Sequence, residues 1–432
     1  MNSCTLWVVT TADKVAPTEL AALAQLGCSE LAGAIRGVAK VHRAVTDRVF
    51  GVTDRLGGSS SRSAHLVHDA VADTTYESLS AMLEAIAEVG ATLPEPRHSP
   101  SEGSRGALVL AILDGLIGDS LADQRSPLAQ PMSIRVDGMP VAVEAEALRA
   151  AFPEAAGHIV VFLHGLMESE HAWRRGNRPT YGERLATDIG ATEVRLRFNT
   201  GRHISDNGRE LAALLNDLML QWPVPVSRLT LIGHSMGGLI IRSACHSAAT
   251  QDAYWCGLVT ETVSLGTPHF GAPLARTVHF AAGALRSVSV TAPFGNLLGR
   301  RSAGVRDLFH GSLVDDDWSG RDPDAFRQHP ATAVPLLPQA RHLFVTASLT
   351  RDPNHPLGRF IGDGLVLTPS GRGESRARSV GFTTEHGLHL GGASHFTLLN
   401  DDDVYRWLLE HLRPRRALPP GRSQNAAKWG VA

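Results

Sequence analysis

The stretch LTLIGHSMGGLII, residues 229–241, passes from a short apolar run through Gly233, His234, Ser235 and Met236 into Gly237, Gly238 and a second apolar run. A buried strand has no need of so many glycines, and a helix start needs a cap but no glycine on each side of it. The pattern fits a strand that turns abruptly into a helix. The turning residue is then held in a strained backbone conformation, and its neighbours must carry almost no side chain. Gly233 and Gly237 supply that clearance, and Ser235 stands at the apex. Its hydroxyl is lifted above the carboxyl end of the sheet, where the N-terminus of the following helix favours a developing negative charge.

Working outward, apolar runs alternate with helical stretches from about residue 132 onward. HIVVFL (158–163), EVRLRF (193–198), LTLI (229–232), TETVSL (260–265) and HLFVTA (342–347) read as strands. Strands separated by helices indicate a largely parallel sheet covered on both faces. Ahead of them, SIRVDGMPVAVE (133–144) carries Asp137-Gly138 between two alternating runs, a hairpin signal. A last helix is expected over 401–412, capped by an Asn/Asp cluster. The expected class is therefore α/β, with a mostly parallel central sheet opened by a hairpin. The body spans 129–413, and the Pro/Arg/Gly/Ser-rich residues 414–432 are expected to be a disordered tail.

The first 128 residues differ in character. Leu23, Leu26, Leu31, Ile35, Val38, Val41, Val45 and Val49 recur mostly at helical spacing, as do Tyr76, Leu79, Leu83, Ile86 and Val89. A small helical region is expected, with a flexible linker near 94–106 (PEPRHSPSEGSRG). Over residues 31–50 the apolar face is opposed by Arg36, Lys40, Arg43 and Arg48. Such a helix is able to lie on an anionic membrane surface, making peripheral membrane contact, but packing of its stripe against protein is the favoured expectation.

Composition narrows the choice of partners. A chain of 432 residues with 43% hydrophobic residues can bury a large core, and a net charge of −2 offers no field for nucleic acid. Cys4, Cys28, Cys245 and Cys256 show no CxxC spacing, so no metal site is expected of them, and isolated thiols suit a reducing compartment. The start of the chain has no basic segment followed by a long apolar one, and no run reaches the length of a membrane span; the longest, 107–117, is interrupted by Asp114. The cytoplasm is the expected location. The acidic run Asp315-Asp316-Asp317 reads as a solvated turn.

Four segments together carry a family resemblance: GHSMGG (233–238), SLGTPHFGAPLA (264–275), GDGLV (362–366) and ASHF (393–396). Over about 132–412 the chain resembles α/β-hydrolase lipases and esterases, particularly the triacylglycerol-lipase-like group that also includes glycosylphosphatidylinositol inositol-deacylases. The resemblance implies the α/β-hydrolase fold and an ester hydrolase that needs no cofactor, acting on a small-molecule or lipid ester. It makes Ser235 the nucleophile. His164-Gly165 in HIVVFLHGLMES (158–169) is similar to the oxyanion loop after the third strand, so the backbone N–H groups of Leu166 and Met236 are the implied oxyanion donors.

The general base is expected on a loop before the last helix, where His395 follows Gly391, Gly392, Ala393 and Ser394. His386 and His389 fall in a segment that reads as strand, and His234 should point away from the serine as a packing residue. The acid is expected after the penultimate strand, where Asp363 lies between Gly362 and Gly364; Asp352 is its rival. The order Ser235, Asp363, His395 is the α/β-hydrolase order. Thr267, Pro268 and His269 are expected to form a wall of the site, and the insertion over about 273–338 to serve as a lid or cap. The same residues would serve a thioesterase, peptidase or acyltransferase, and a hydrolase fold without activity would be a binding scaffold.

Overall fold

A computed structural model describes residues 19, 22, 99–272, 302–321, 331–352, 355, 358 and 361–413. Over these residues the elements run α1 (Ser104–Asp123), β1 (Ser133–Val136), β2 (Met139–Val141), α2 (Ala145–Ala151), β3 (His158–Leu163), α3 (Tyr181–Ile189), β4 (Thr192–Arg197) and α4 (Ile204–Gln221). There follow β5 (Arg228–His234), α5 (Met236–Ala249), β6 (Val259–Leu265), α6 (Ala303–His310), β7 (Arg341–Ser348), the short α7 (Thr368–Gly371), β8 (Gly387–Gly391) and α8 (Asp402–Leu412). The expected strands stand where the apolar runs placed them, one or two residues longer or shifted at their ends.

The eight strands form one sheet in the order β2-β1-β4-β3-β5-β6-β7-β8. From β4 to β8 every neighbouring pair is parallel, whereas β1 pairs antiparallel with both β2 and β4. The hairpin turns on Asp137 (φ 49°) and Gly138 (φ 85°), two successive left-handed residues of the kind that match strand twist. The chain leaves β3 toward β4 on one side and later returns to place β5 on the other. The crevice at the carboxyl ends of β3 and β5 is thus the switch point where open α/β sheets hold their ligands.

Alternation along β3 assigns the two faces. Ile159, Val161 and Leu163 enter one core with Leu211, Leu215 and Leu218 of α4 and Leu239, Ile240 and Ala244 of α5. Val160 and Phe162 enter the opposite core with Tyr181 and Leu185 of α3 and Val404, Leu408 and Leu412 of α8. Each such buried aliphatic side chain contributes about 1.5–3 kcal/mol of transfer free energy. Helix α8 begins where its Asn/Asp cluster was expected to cap it, with the Asp401 carboxylate accepting the N–H groups of Asp403 and Val404.

Three expectations change. The linker near 94–106 is structured over its second half. Pro100–Glu102 forms a helical turn, Ser104 opens α1, and the buried Arg197 guanidinium donates to the Ser101 carbonyl oxygen. Polar composition predicted flexibility, but a buried cation needed that carbonyl as acceptor. Helix α1 is apolar on most sides because it is covered on most sides, and among the described residues no helix is long and apolar enough to cross a membrane. It reaches the body through glycines: a Cβ at Gly118 would stand 2.1 Å from Asn199 Oδ1, and the Asn199 amide donates to the Gly118 carbonyl oxygen at 2.8 Å.

The acidic run is not simply a solvated turn either. Asp317 is buried and accepts the N–H groups of Leu313, Val314 and Thr332, while Asp315 accepts from Ser205 and Arg209. Three consecutive aspartates read as solvent-facing in sequence, yet one of them ties two loop segments together. Lastly, part of the insertion over 273–338 is docked: Ser302 donates to the Gly115 carbonyl oxygen, and Asp307 accepts from the Ile204 N–H. The apolar segments HFAAGAL and FGNLLG, the helical stripes expected over 23–49 and 76–89, and the tail 414–432 lie outside the described residues.

Candidate active site

Ser235 is the residue between β5 and α5, with φ 52° and ψ −118°. That conformation costs a non-glycine residue about 1–3 kcal/mol and persists only where packing over-determines it. The glycines explain how. A Cβ on Gly233 would stand 2.4 Å from Gly238 N, and one on Gly237 would stand 2.5 Å from the Leu163 carbonyl oxygen. Strand and helix therefore approach each other, and β3 approaches the helix start, at distances no side chain permits. The Ser235 N–H is held by the Leu265 carbonyl oxygen at 2.8 Å, which ties the apex to the end of β6.

Asp363 and His395 are brought together directly. The carboxylate Oδ2 accepts from His395 Nδ1 at 2.8 Å, and both side chains are buried. The other oxygen, Oδ1, accepts the N–H groups of Leu365 (2.9 Å) and Val366 (2.7 Å). Gly362 (φ 60°) and Gly364 (φ 101°) are both left-handed, so the chain folds tightly around the carboxylate it presents. The backbone repeats the connection, with the His395 N–H donating to the Asp363 carbonyl oxygen at 2.9 Å. Burial alone would depress the imidazole, but the charge and hydrogen bond of Asp363, with a further contribution from Glu168, hold its pKa above the ordinary value.

The His395 ring lies against Gly266, where a Cβ would stand 3.1 Å from two of its atoms, one residue beyond the carbonyl that holds Ser235. Nucleophile candidate and imidazole thus share the carboxyl ends of β5 and β6. Among the described residues the Ser235 hydroxyl makes no hydrogen bond. Such bonds are often long before substrate is bound. Asp352, the rival acid, is exposed on the loop after β7, and His389 of β8 is occupied by Thr346 and Ser348.

The turn after β3 brings Gly165 beside the serine, a Cβ there standing 3.1 Å from Ser235 Cβ. His164 fastens this turn. Its ring stacks on Phe198 at 4.1 Å, and its Nδ1 lies 3.0 Å from the Gly165 carbonyl oxygen. Burial, partly offset by that hydrogen bond, lowers its pKa to about 4, so it stands neutral. Met167 is left-handed (φ 58°), and its N–H donates to Thr200 Oγ1 at 3.3 Å. Neither the Leu166 nor the Met236 N–H enters the loop hydrogen bonds of the described residues.

Of the expected wall, Thr267 and His269 are both buried, with Phe382 edge-on to the His269 ring. His234 is more than the packing residue expected. Its Nδ1 lies 3.0 Å from Glu168 Oε2, and its Nε2 lies 3.2 Å from the His395 carbonyl oxygen. Glu168 was missed in the sequence, where the only available signal was a carboxylate four positions after His164. Among the described residues no cluster of His, Cys, Asp and Glu could hold a metal ion, and Cys245 and Cys256 are buried free thiols.

Sheet order, the sharp strand-to-helix turn at Ser235 and loop placement define an α/β-hydrolase fold. Residues 153–310 match the family described as "Putative serine esterase (DUF676)", a segment that includes Ser235 and ends before Asp363 and His395. No curated protein matches the chain. Among solved structures it is similar to Bacillus licheniformis lipase BlEst2 in its propeptide form, with 20% identity and a TM-score of 0.38 over 60% of this chain and 50% of that one. It is also similar to Aspergillus fumigatus lipase B, with 13% identity and a TM-score of 0.35 over 62% of this chain and 57% of that one. The chain thus spans about half the length of each of these two lipases.

Proposed function

We propose that the protein is a serine hydrolase that cleaves carboxylic esters through an acyl-enzyme on Ser235. The observation that carries this reading is the buried Asp363–His395 pair beside a serine in strained, left-handed geometry at the carboxyl ends of the central strands. The serine-esterase family match over 153–310 supports it.

In the forward step Ser235 Oγ bonds to the ester carbonyl carbon and its proton passes to His395 Nε2. Asp363 keeps Nδ1 protonated and stabilises the imidazolium that forms. The carbonyl oxygen becomes an oxyanion facing the Leu166 and Met236 N–H groups, where a single donor contributes about 3–4 kcal/mol in a comparable site. Collapse breaks the bond to the alcohol, which takes the proton from His395. Water then attacks the acyl carbon with His395 again as base, and the acid leaves as Ser235 regains its proton. The insertion over 273–338 is proposed to cover the acyl chain, a role that would exclude water from the site.

Labelling by a fluorophosphonate probe tests the nucleophile and separates an enzyme from a silent scaffold. Wild type should label and Ser235→Ala should not, with ester turnover reduced by about 10⁶ in kcat, as in a comparable serine hydrolase. Retention of a tenth of wild-type turnover by Ser235→Ala would overturn the assignment. A series of p-nitrophenyl esters from short to long acyl chains, run beside a thioester and a peptide, would then fix the leaving-group class and chain length.

A further inference from the structure

Behind the Asp363–His395 pair stands a second carboxylate–imidazole pair that the mechanism above does not use. Glu168 belongs to the turn after β3 and His234 to the end of β5, one residue before Ser235. Glu168 Oε2 accepts the Gly165 N–H at 2.7 Å and faces His234 Nδ1 at 3.0 Å. On its other side, His234 Nε2 faces the backbone carbonyl oxygen of His395 at 3.2 Å. The His234 side chain is fully buried, its ring 4.6 Å from the His395 ring and edge-on to Trp173 at 6.4 Å.

A carbonyl oxygen only accepts, and so does an ionised carboxylate. An imidazole that donates from both nitrogens satisfies both partners. Burial works against the Glu168 charge, but His234, the Gly165 N–H and the neighbouring His164 outweigh it and pull the carboxyl pKa down to about 2. Two further titratable groups face the pair. His164 approaches Glu168 from the end of β3, and His395, itself bound to Asp363, approaches His234 from the loop before α8.

We propose that Glu168 and His234 form a buried carboxylate–imidazolium strut that positions the two halves of the catalytic apparatus relative to each other. One end fixes Gly165, whose turn aims the Leu166 N–H, and the other fixes the backbone of His395. Both are positioning residues, because neither touches the reacting atoms. The inference deepens the ester-hydrolase reading and rests on it only for its kinetic consequence. Misplacement of catalytic groups by about 1 Å can cost 10²-fold in rate without loss of substrate binding.

The test has a spectroscopic arm and a kinetic arm, both on the full-length protein. Long-range ¹H–¹⁵N correlation spectra, assigned with His234→Gln, should show both ring nitrogens of His234 protonated at neutral pH in wild type. A single-proton tautomer there would overturn the strut, whatever the enzyme's activity. In Glu168→Gln, which keeps the shape and removes the charge, kcat for a p-nitrophenyl ester should fall by about 10²-fold while KM stays within about twofold. Wild-type kcat in a folded Glu168→Gln would overturn the positioning role. Loss of folding in that variant leaves the wild-type spectrum to decide, and full turnover by Ser235→Ala would instead condemn the ester-hydrolase reading.

Discussion

At the scale of single residues, the proposed mechanism requires His395 to be neutral so that it accepts the Ser235 proton. Its pKa lies above the ordinary value because Asp363, supported by Glu168, outweighs the effect of burial. The sign follows directly: below that pKa the imidazole is already protonated and cannot act as base, so turnover is low and rises as pH climbs through it. The half-maximal point of kcat/KM on the acid side should therefore lie above about 6.5, the value of an unperturbed histidine. A pH–rate profile checks this, and a midpoint below 6.5 would contradict the Asp363 contact. Asp363→Asn should lose up to about 10⁴ in kcat because the amide no longer enforces the Nδ1–H tautomer. The same change at the exposed Asp352 should leave kcat near wild type.

At the scale of elements, the β5–α5 turn depends on space rather than on a favourable contact. A methyl group on Gly237 would press on the carbonyl oxygens of both Leu163 and His164, backbone atoms that cannot rotate away. Gly237→Ala should therefore destabilise by about 1–3 kcal/mol, as overpacking does, and lower turnover as well, because the Met236 N–H moves with the turn. Urea denaturation together with kcat separates the two effects. Unchanged stability would mean that β3 and α5 have more room than 2.5 Å allows.

At the scale of the whole molecule, buried charges as well as apolar contacts join α1, β4 and the segment after β3. Arg197 of β4 is buried and donates from Nε to Glu170 Oε2 at 2.7 Å, while another of its nitrogens holds the Ser101 carbonyl oxygen ahead of α1. Nearby Asp114 of α1 is buried with its pKa pushed well up by desolvation, which the Arg197 charge only partly offsets. Glu170→Gln should cost about 3–5 kcal/mol by leaving the guanidinium without its counter-charge, as read by chemical denaturation. A loss under 1 kcal/mol would show that water reaches the pair. For the N-terminal region we expect the intact chain not to float with anionic liposomes, since an apolar helix stripe is more often buried against protein. Strong co-flotation abolished by deleting residues 1–60 would favour the membrane instead.

Local rules carried a large part of this protein. Periodicity placed β3 to β7 because a strand buried on both faces must be apolar throughout, and Asp137-Gly138 marked the hairpin because few residues accept two left-handed positions in succession. Ser235, Asp363 and His395 were legible for a similar reason: each needs glycine or other small neighbours, and those leave a mark in sequence. Relations between segments distant in the chain leave no such mark. Glu168 meets His234 across 66 positions, Arg197 meets Ser101 across 96, and Asp317 meets Thr332 across 15. A charged residue reads as solvent-exposed until the fold supplies its partner, because only the partner offsets the cost of burial. The sequence by itself therefore determined the sheet, the strand-to-helix turn at Ser235 and the residues proposed for chemistry. The tertiary structure decided which buried charges hold those residues in place.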